Sequence, residues 1–99
     1  MTLPLRAVEK DGDCADPDAA DRSAVERCLA GDRQAFAAPV RRHGPAVFAF
    51  CARIVGPAIG EELAQETFAR AWSRLGDFRW ESSFKSWLFR IALNLCRDH

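Results

Sequence analysis

Residues 84–95 read FKSWLFRIALNL. Phe84, Leu88, Ile91 and Leu95 recur at the spacing of a helix with one apolar stripe. Ser86, Arg90, Asn94 and Arg97 fall on a second, polar stripe of the same helix. Residues 61–75, EELAQETFARAWSRL, repeat the design. Ala64, Phe68, Ala71 and Leu75 share one face, Trp72 widens it, and Glu62, Gln65, Glu66, Ala69 and Ser73 lie on the other. No segment sustains the alternation of a half-buried strand. The fold class is therefore all-α.

Working outward, Ser82 or Ser83 supplies the N-cap of the last helix. The helix before it runs from about Gly60 to Leu75 and closes at Gly76-Asp77. Upstream, Phe36, Val40, His43, Val47, Phe50, Cys51 and Ile54 hold one stripe across Gly44-Pro45. Pro45 removes one backbone bond, to the carbonyl of Arg41, yet the phase survives it. One kinked helix is expected, ending at Gly56-Pro57, with Pro39 tolerated near its start. A short leading helix begins near Ser23, where Ser23 and Glu26 form a capping box, and stops at Gly31. Asp32 then caps the next helix. The expected architecture is a compact bundle of three main helices plus a short leading helix over residues 23–99, behind an acidic, flexible leader over residues 1–22.

The chain has 99 residues, 48% of them hydrophobic, which suits one small domain with a core. Formal net charge is zero, but its distribution is uneven. Residues 1–22 carry six acids against three bases, while residues 33–53 carry Arg33, Arg41, Arg42 and Arg53 with no acid. Cys14, Cys28, Cys51 and Cys96 form no C-x-x-C pair, so neither a zinc site nor a disulfide framework is expected. Cys28, Cys51 and Cys96 read as buried free thiols in a reducing cytoplasm. No stretch has the length of a membrane span or the pattern of a signal peptide.

A catalytic constellation is missing. His43 lies on an apolar stripe and His99 is the last residue. Glu61, Glu62 and Glu66 stand at helical spacing without a histidine to complete a metal site. No Gly-rich phosphate loop or nucleophile elbow occurs. Neither enzyme activity nor a metal or other cofactor is expected.

The turn Arg79–Trp87, RWESSFKSW, concentrates aromatics, cations and serines. Such a mixture suits single-strand capture, in which bases stack on rings and cations follow the phosphates. Arg79, Lys85, Arg90 and Arg97 supply the charge, and Ser82, Ser83 and Asn94 supply polar contacts. Phe84 reads as core, and Trp87 as either core or support of the binding surface. Phe89 is expected to pack against the leading helix, and Trp80 to present an exposed or base-facing ring. On its residues alone the stripe of Glu62, Gln65 and Glu66 reads first as an ordinary solvated face, and second as a dock for a basic helix.

From Asp32 onward, the order ELAQETFARAW followed by SSFKSWLFRIALN closely resembles region 2 of bacterial sigma-70-type factors, specifically the extracytoplasmic-function group. The resemblance covers about residues 22–99. It implies a promoter-recognition module that docks on the clamp helices of the RNA polymerase core's largest subunit. Glu62, Leu63, Gln65, Glu66 and Arg70 are the matching positions. It further implies that residues 77–97 hold the non-template strand of the −10 promoter element, help to melt it and capture a flipped base. The matching set is Arg79, Trp80, Glu81, Ser82, Ser83, Lys85, Ser86, Trp87, Arg90, Asn94 and Arg97. An anti-sigma regulator is a further partner the family suggests, and a pure interaction module is the alternative function.

Three departures stand out. Family members continue into a second helical domain that reads the −35 element, which this chain is expected to lack. Trp80 stands where the family often has Gly, and Pro39 where it usually has an apolar helix former.

Overall fold

The computed structural model describes residues 18–99. Their elements are α1 (Asp18–Leu29), a 3-10 turn (Arg33–Phe36), α2 (Ala37–Val55), α3 (Pro57–Ser73), a second 3-10 turn (Leu75–Asp77) and α4 (Phe84–Asp98). No strand occurs among the described residues, and the all-α bundle holds. Residues 1–17 of the acidic leader lie outside the described residues, whereas residues 18–22 form the first turns of α1.

Each boundary has a local cause. α1 begins at Asp18, so Ser23 sits inside the helix and is not its cap. Asp18 and Asp21 instead place negative charge in the first turn, where the helix dipole favours it. Gly31 ends α1 with φ +113°. Its N–H donates to the Cys28 carbonyl at 3.0 Å and that of Asp32 to Arg27 at 2.9 Å, the paired bonds of a Schellman ending. Asp32 makes no side-chain cap; its carboxylate meets Arg27 at 3.2 Å, and a 3-10 turn intervenes before α2.

α2 is one continuous helix through Gly44-Pro45. Pro39 falls in its first turn, where backbone N–H groups have no intrahelical acceptor to lose. α3 starts at Pro57, three residues before the expected Gly60, because proline suits the first helical position. Gly60 has a packing role instead: a Cβ there would lie 2.7 Å from the Ala52 Cα, so its absence lets α2 and α3 approach closely. Ser83 caps α4, accepting the Ser86 N–H at 3.0 Å.

Two apolar clusters hold the helices together. One joins Val25 and Cys28 of α1 to Ala71 of α3, to Leu75 and to Phe84, Leu88 and Ile91 of α4. The other joins Val47 and Cys51 of α2 to Ala64 of α3 and to Ala92 and Cys96 of α4. Ile54 departs from its stripe and is 48% exposed near the end of α2. Phe89 packs edge-on against Phe50 of α2 at 5.1 Å rather than against the leading helix. No helix among the described residues is long and apolar enough to cross a membrane.

Candidate nucleic-acid and partner interfaces

The loop between the second 3-10 turn and α4 is organised by stacked rings. Phe78 stacks on Trp87 at 4.7 Å, meets Trp80 at 4.5 Å and sits edge-on to the buried Phe84 at 5.6 Å. Phe84 therefore anchors the cluster from the core. Trp87 is half-buried, packed on the core and part of a pocket wall.

Trp80 corrects the sequence expectation. Its ring is half-buried in this cluster, and the Arg22 guanidinium lies 4.2 Å from the ring centroid. Such a cation–π contact covers ring surface that the sequence offered to solvent or a base. Trp80 also has φ 60°, the left-handed region in which a bulky residue is strained. Packing against Phe78 and Arg22 offsets that strain.

Beside the stacked rings lies a polar cavity of about 160 Å³. Phe78 and Trp87 form its apolar walls; Arg79, Ser82 and Arg90 bring donors, and Asp77 and Glu81 bring carboxylates. It is smaller than the ~300–1,000 Å³ pockets of drug-sized ligands. From it the polar stripe of α4 runs through Ser86, Asn94 and Arg97, all exposed. Ser86 to Arg97 spans about 16 Å along the axis. Lys85 is exposed beside this stripe, its Nζ 5.8 Å from the Phe89 centroid. The Ser83 hydroxyl donates to the Ser86 hydroxyl and accepts from the Ser86 N–H, both at 3.0 Å.

On α3, Glu62, Gln65 and Glu66 share an exposed arc. Arg70 is half-buried and bonds Glu66 through Nε at 3.0 Å. Leu63 turns away from this arc and packs against the second apolar cluster. The five residues named from sequence thus divide into an acidic-polar surface, one ion-paired arginine and one core contact.

Sequence reasoning missed Asp21 and Arg22, and placed Asp77 and Phe78 in the 77–97 segment without singling them out. Asp77 and Phe78 were next to the expected turn, and an aromatic beside Arg79 was a usable signal. Asp21 and Arg22 carried none, because their partners His43 and Trp80 are remote in sequence. Among the described residues, no group of three His, Cys, Asp or Glu could hold a metal ion.

A small helical domain with an aromatic-based loop, a cationic polar stripe and an acidic helix face has the character of a macromolecule-binding module. The Sigma-70 region 2 family matches residues 39–99, and the chain belongs to that family, with relatives of the extracytoplasmic-function (ECF) group. It is 38% identical over 80 residues to the RNA polymerase sigma-H factor of Pseudomonas aeruginosa, covering 80% of this chain and 42% of that protein. With the RNA polymerase sigma factor CnrH of Cupriavidus metallidurans it shares 42% identity over 84 residues, covering 83% of this chain and 44% of the relative. The ECF RNA polymerase sigma-E factor of Escherichia coli is 35% identical over 79 residues, with 80% and 41% covered. The chain spans less than half the length of these relatives.

Proposed function

We propose that this chain is a cytoplasmic promoter-recognition module that joins RNA polymerase to the −10 element. The exposed arc of Glu62, Gln65 and Glu66 docks on the clamp helices of the largest polymerase subunit. Arg70 orients Glu66 through their ion pair, and Leu63 supports the arc from beneath. The loop and α4 hold the non-template single strand and stabilise its melted form. Arg79, Lys85, Arg90 and Arg97 follow the phosphates, while Ser82, Ser86 and Asn94 contribute directional contacts. The cavity between Phe78, Trp87, Arg79 and Arg90 receives an extruded base. Glu81 accepts from base donors there. Trp80 and Ser83 act indirectly, fixing the loop and the helix start.

The observation that carries this reading is the cavity itself: stacked aromatic walls and paired cations at the head of a polar helical stripe. A second reading, an interaction module held mainly by an anti-sigma regulator, draws on Asp77 and Glu81, whose charge opposes that of Arg79 and Arg90 in the same cavity.

Fluorescence titration of a labelled −10 single strand, beside a scrambled strand, separates the two. The promoter module binds the −10 strand more tightly, and Arg90→Ala weakens it. Equal affinity for both strands, or none at low salt, supports the interaction module. For polymerase, Gln65→Ala combined with Glu66→Ala is expected to abolish binding to an isolated clamp-helix fragment; unchanged affinity removes α3 from the interface.

A further inference from the structure

Arg22 belongs to α1 and lies outside residues 39–99, the stretch that the Sigma-70 region 2 family matches. Its backbone is fixed from both sides. Asp21, the residue before it, is bound by Arg42 and lies 2.8 Å from Nε2 of His43, both on α2. Val25, one turn on, is buried in the cluster that contains Phe84 and Leu88. The Arg22 side chain is exposed and has no ion-pair partner among the described residues. Its guanidinium instead sits over the Trp80 ring, 4.2 Å from the centroid.

Trp80 makes that contact matter. It is the one non-glycine residue with positive φ among the described residues, at 60°. A bulky side chain keeps such a backbone only where its surroundings hold it there. Phe78, at 4.5 Å, and the Arg22 guanidinium supply the hold. Trp80 does not line the polar cavity, but Arg79 and Glu81 on either side of it do, and both are exposed. The backbone at Trp80 therefore sets where the two charged side chains of the cavity begin. Phe78 is itself a cavity wall.

We propose that Arg22 is a positioning residue for strand selection: by holding the Trp80 ring it fixes the left-handed turn that aims Arg79 and Glu81 at the cavity. The inference rests on the reading of that cavity as the pocket for a −10 base. It goes further by giving α1 a part in choosing the base.

Labelled −10 and scrambled single strands, each titrated against the full 99-residue chain, test it. Wild type prefers the −10 strand. Arg22→Ala should lower that preference about threefold, the scale of an exposed cation–π contact. The log–log salt slope should stay at the wild-type value, because Arg22 holds a ring and no phosphate. Arg22→Lys keeps the cation and recovers most of the preference. Trp80→Gly relaxes the turn and removes the ring, so adding Arg22→Ala to it changes nothing further. Should Arg22→Ala melt early, Arg22→Gln keeps the length, loses the charge and takes its place. Full preference in a folded Arg22→Ala chain overturns the brace and leaves the cavity reading standing. Equal loss on both strands, with the slope shallower by about 0.7, makes Arg22 a phosphate contact and overturns the brace as well. A wild-type chain that binds both strands equally removes the cavity reading and the brace together.

Discussion

Asp21 is 1% exposed, an unusual position for a carboxylate, and its surroundings explain why it is tolerated. Oδ1 accepts from the Arg42 guanidinium, and Oδ2 lies 2.8 Å from Nε2 of the buried His43. An ionised carboxylate only accepts, so the imidazole carries a proton on Nε2 and donates it. The trio fastens α1 to α2 with every strong acceptor engaged. Asp21→Asn would set an amide against the buried imidazole and remove the carboxylate from the exposed Arg42, at a cost of about 2 kcal/mol. A lower urea midpoint at unchanged m-value is the expected signature; an unchanged midpoint would mean that the ion pair merely balances its desolvation. Trp80 illustrates the opposite economy. Its left-handed backbone costs on the order of 1–3 kcal/mol, which ring packing and the Arg22 contact offset.

Between elements, the α2–α4 junction offers a pH test. Cys51 of α2 is fully buried, and its pKa is pushed up from 9.0 to about 12 by burial first and by a hydrogen bond with Cys96 second. A thiol that stays neutral in the fold while ionising in the unfolded chain stabilises the fold fully below the unfolded pKa. That contribution is lost as pH rises from about 9 towards 12. Cys51→Ala should show a constant offset from lost packing and a shallower alkaline decline in urea midpoint than wild type. Parallel declines would assign the alkaline limb to other groups. The same scale shows what the sequence could reveal. The stripes of α2, α3 and α4 were legible because each buried face is repeated within one segment, and Ser83 was legible because a cap is a local bond. The start of α1 was not, because Asp18 and Asp21 look like leader acids until His43, 22 residues beyond Asp21, supplies a partner. Trp80 failed for the same reason: Arg22, which covers it, is on a different element. The candidate site was legible as a set of cations and rings, but its cavity depends on Phe78 stacking against Trp87 across the loop.

Across the whole molecule, zero net charge conceals a local field. Arg79, Lys85, Arg90 and Arg97 are exposed, and none has an ion-pair partner among the described residues. A single strand tracked by all four should release counterions with a log–log salt slope of about −3, from roughly −0.7 per neutralised phosphate. Removing one contact by Arg97→Ala should reduce the slope's magnitude by about 0.7 and weaken −10 and scrambled strands alike. Arg90 borders the cavity, so Arg90→Ala should make the same slope change and also narrow the gap between the two strands. Titrations of both strands over a salt series, for wild type and both variants, give slope and discrimination separately. A wild-type slope near −1 would reduce the phosphate path to one or two cations and shift the affinity onto the stacked rings. Equal discrimination in Arg90→Ala would leave base selection to Glu81, Ser82 and the aromatic walls.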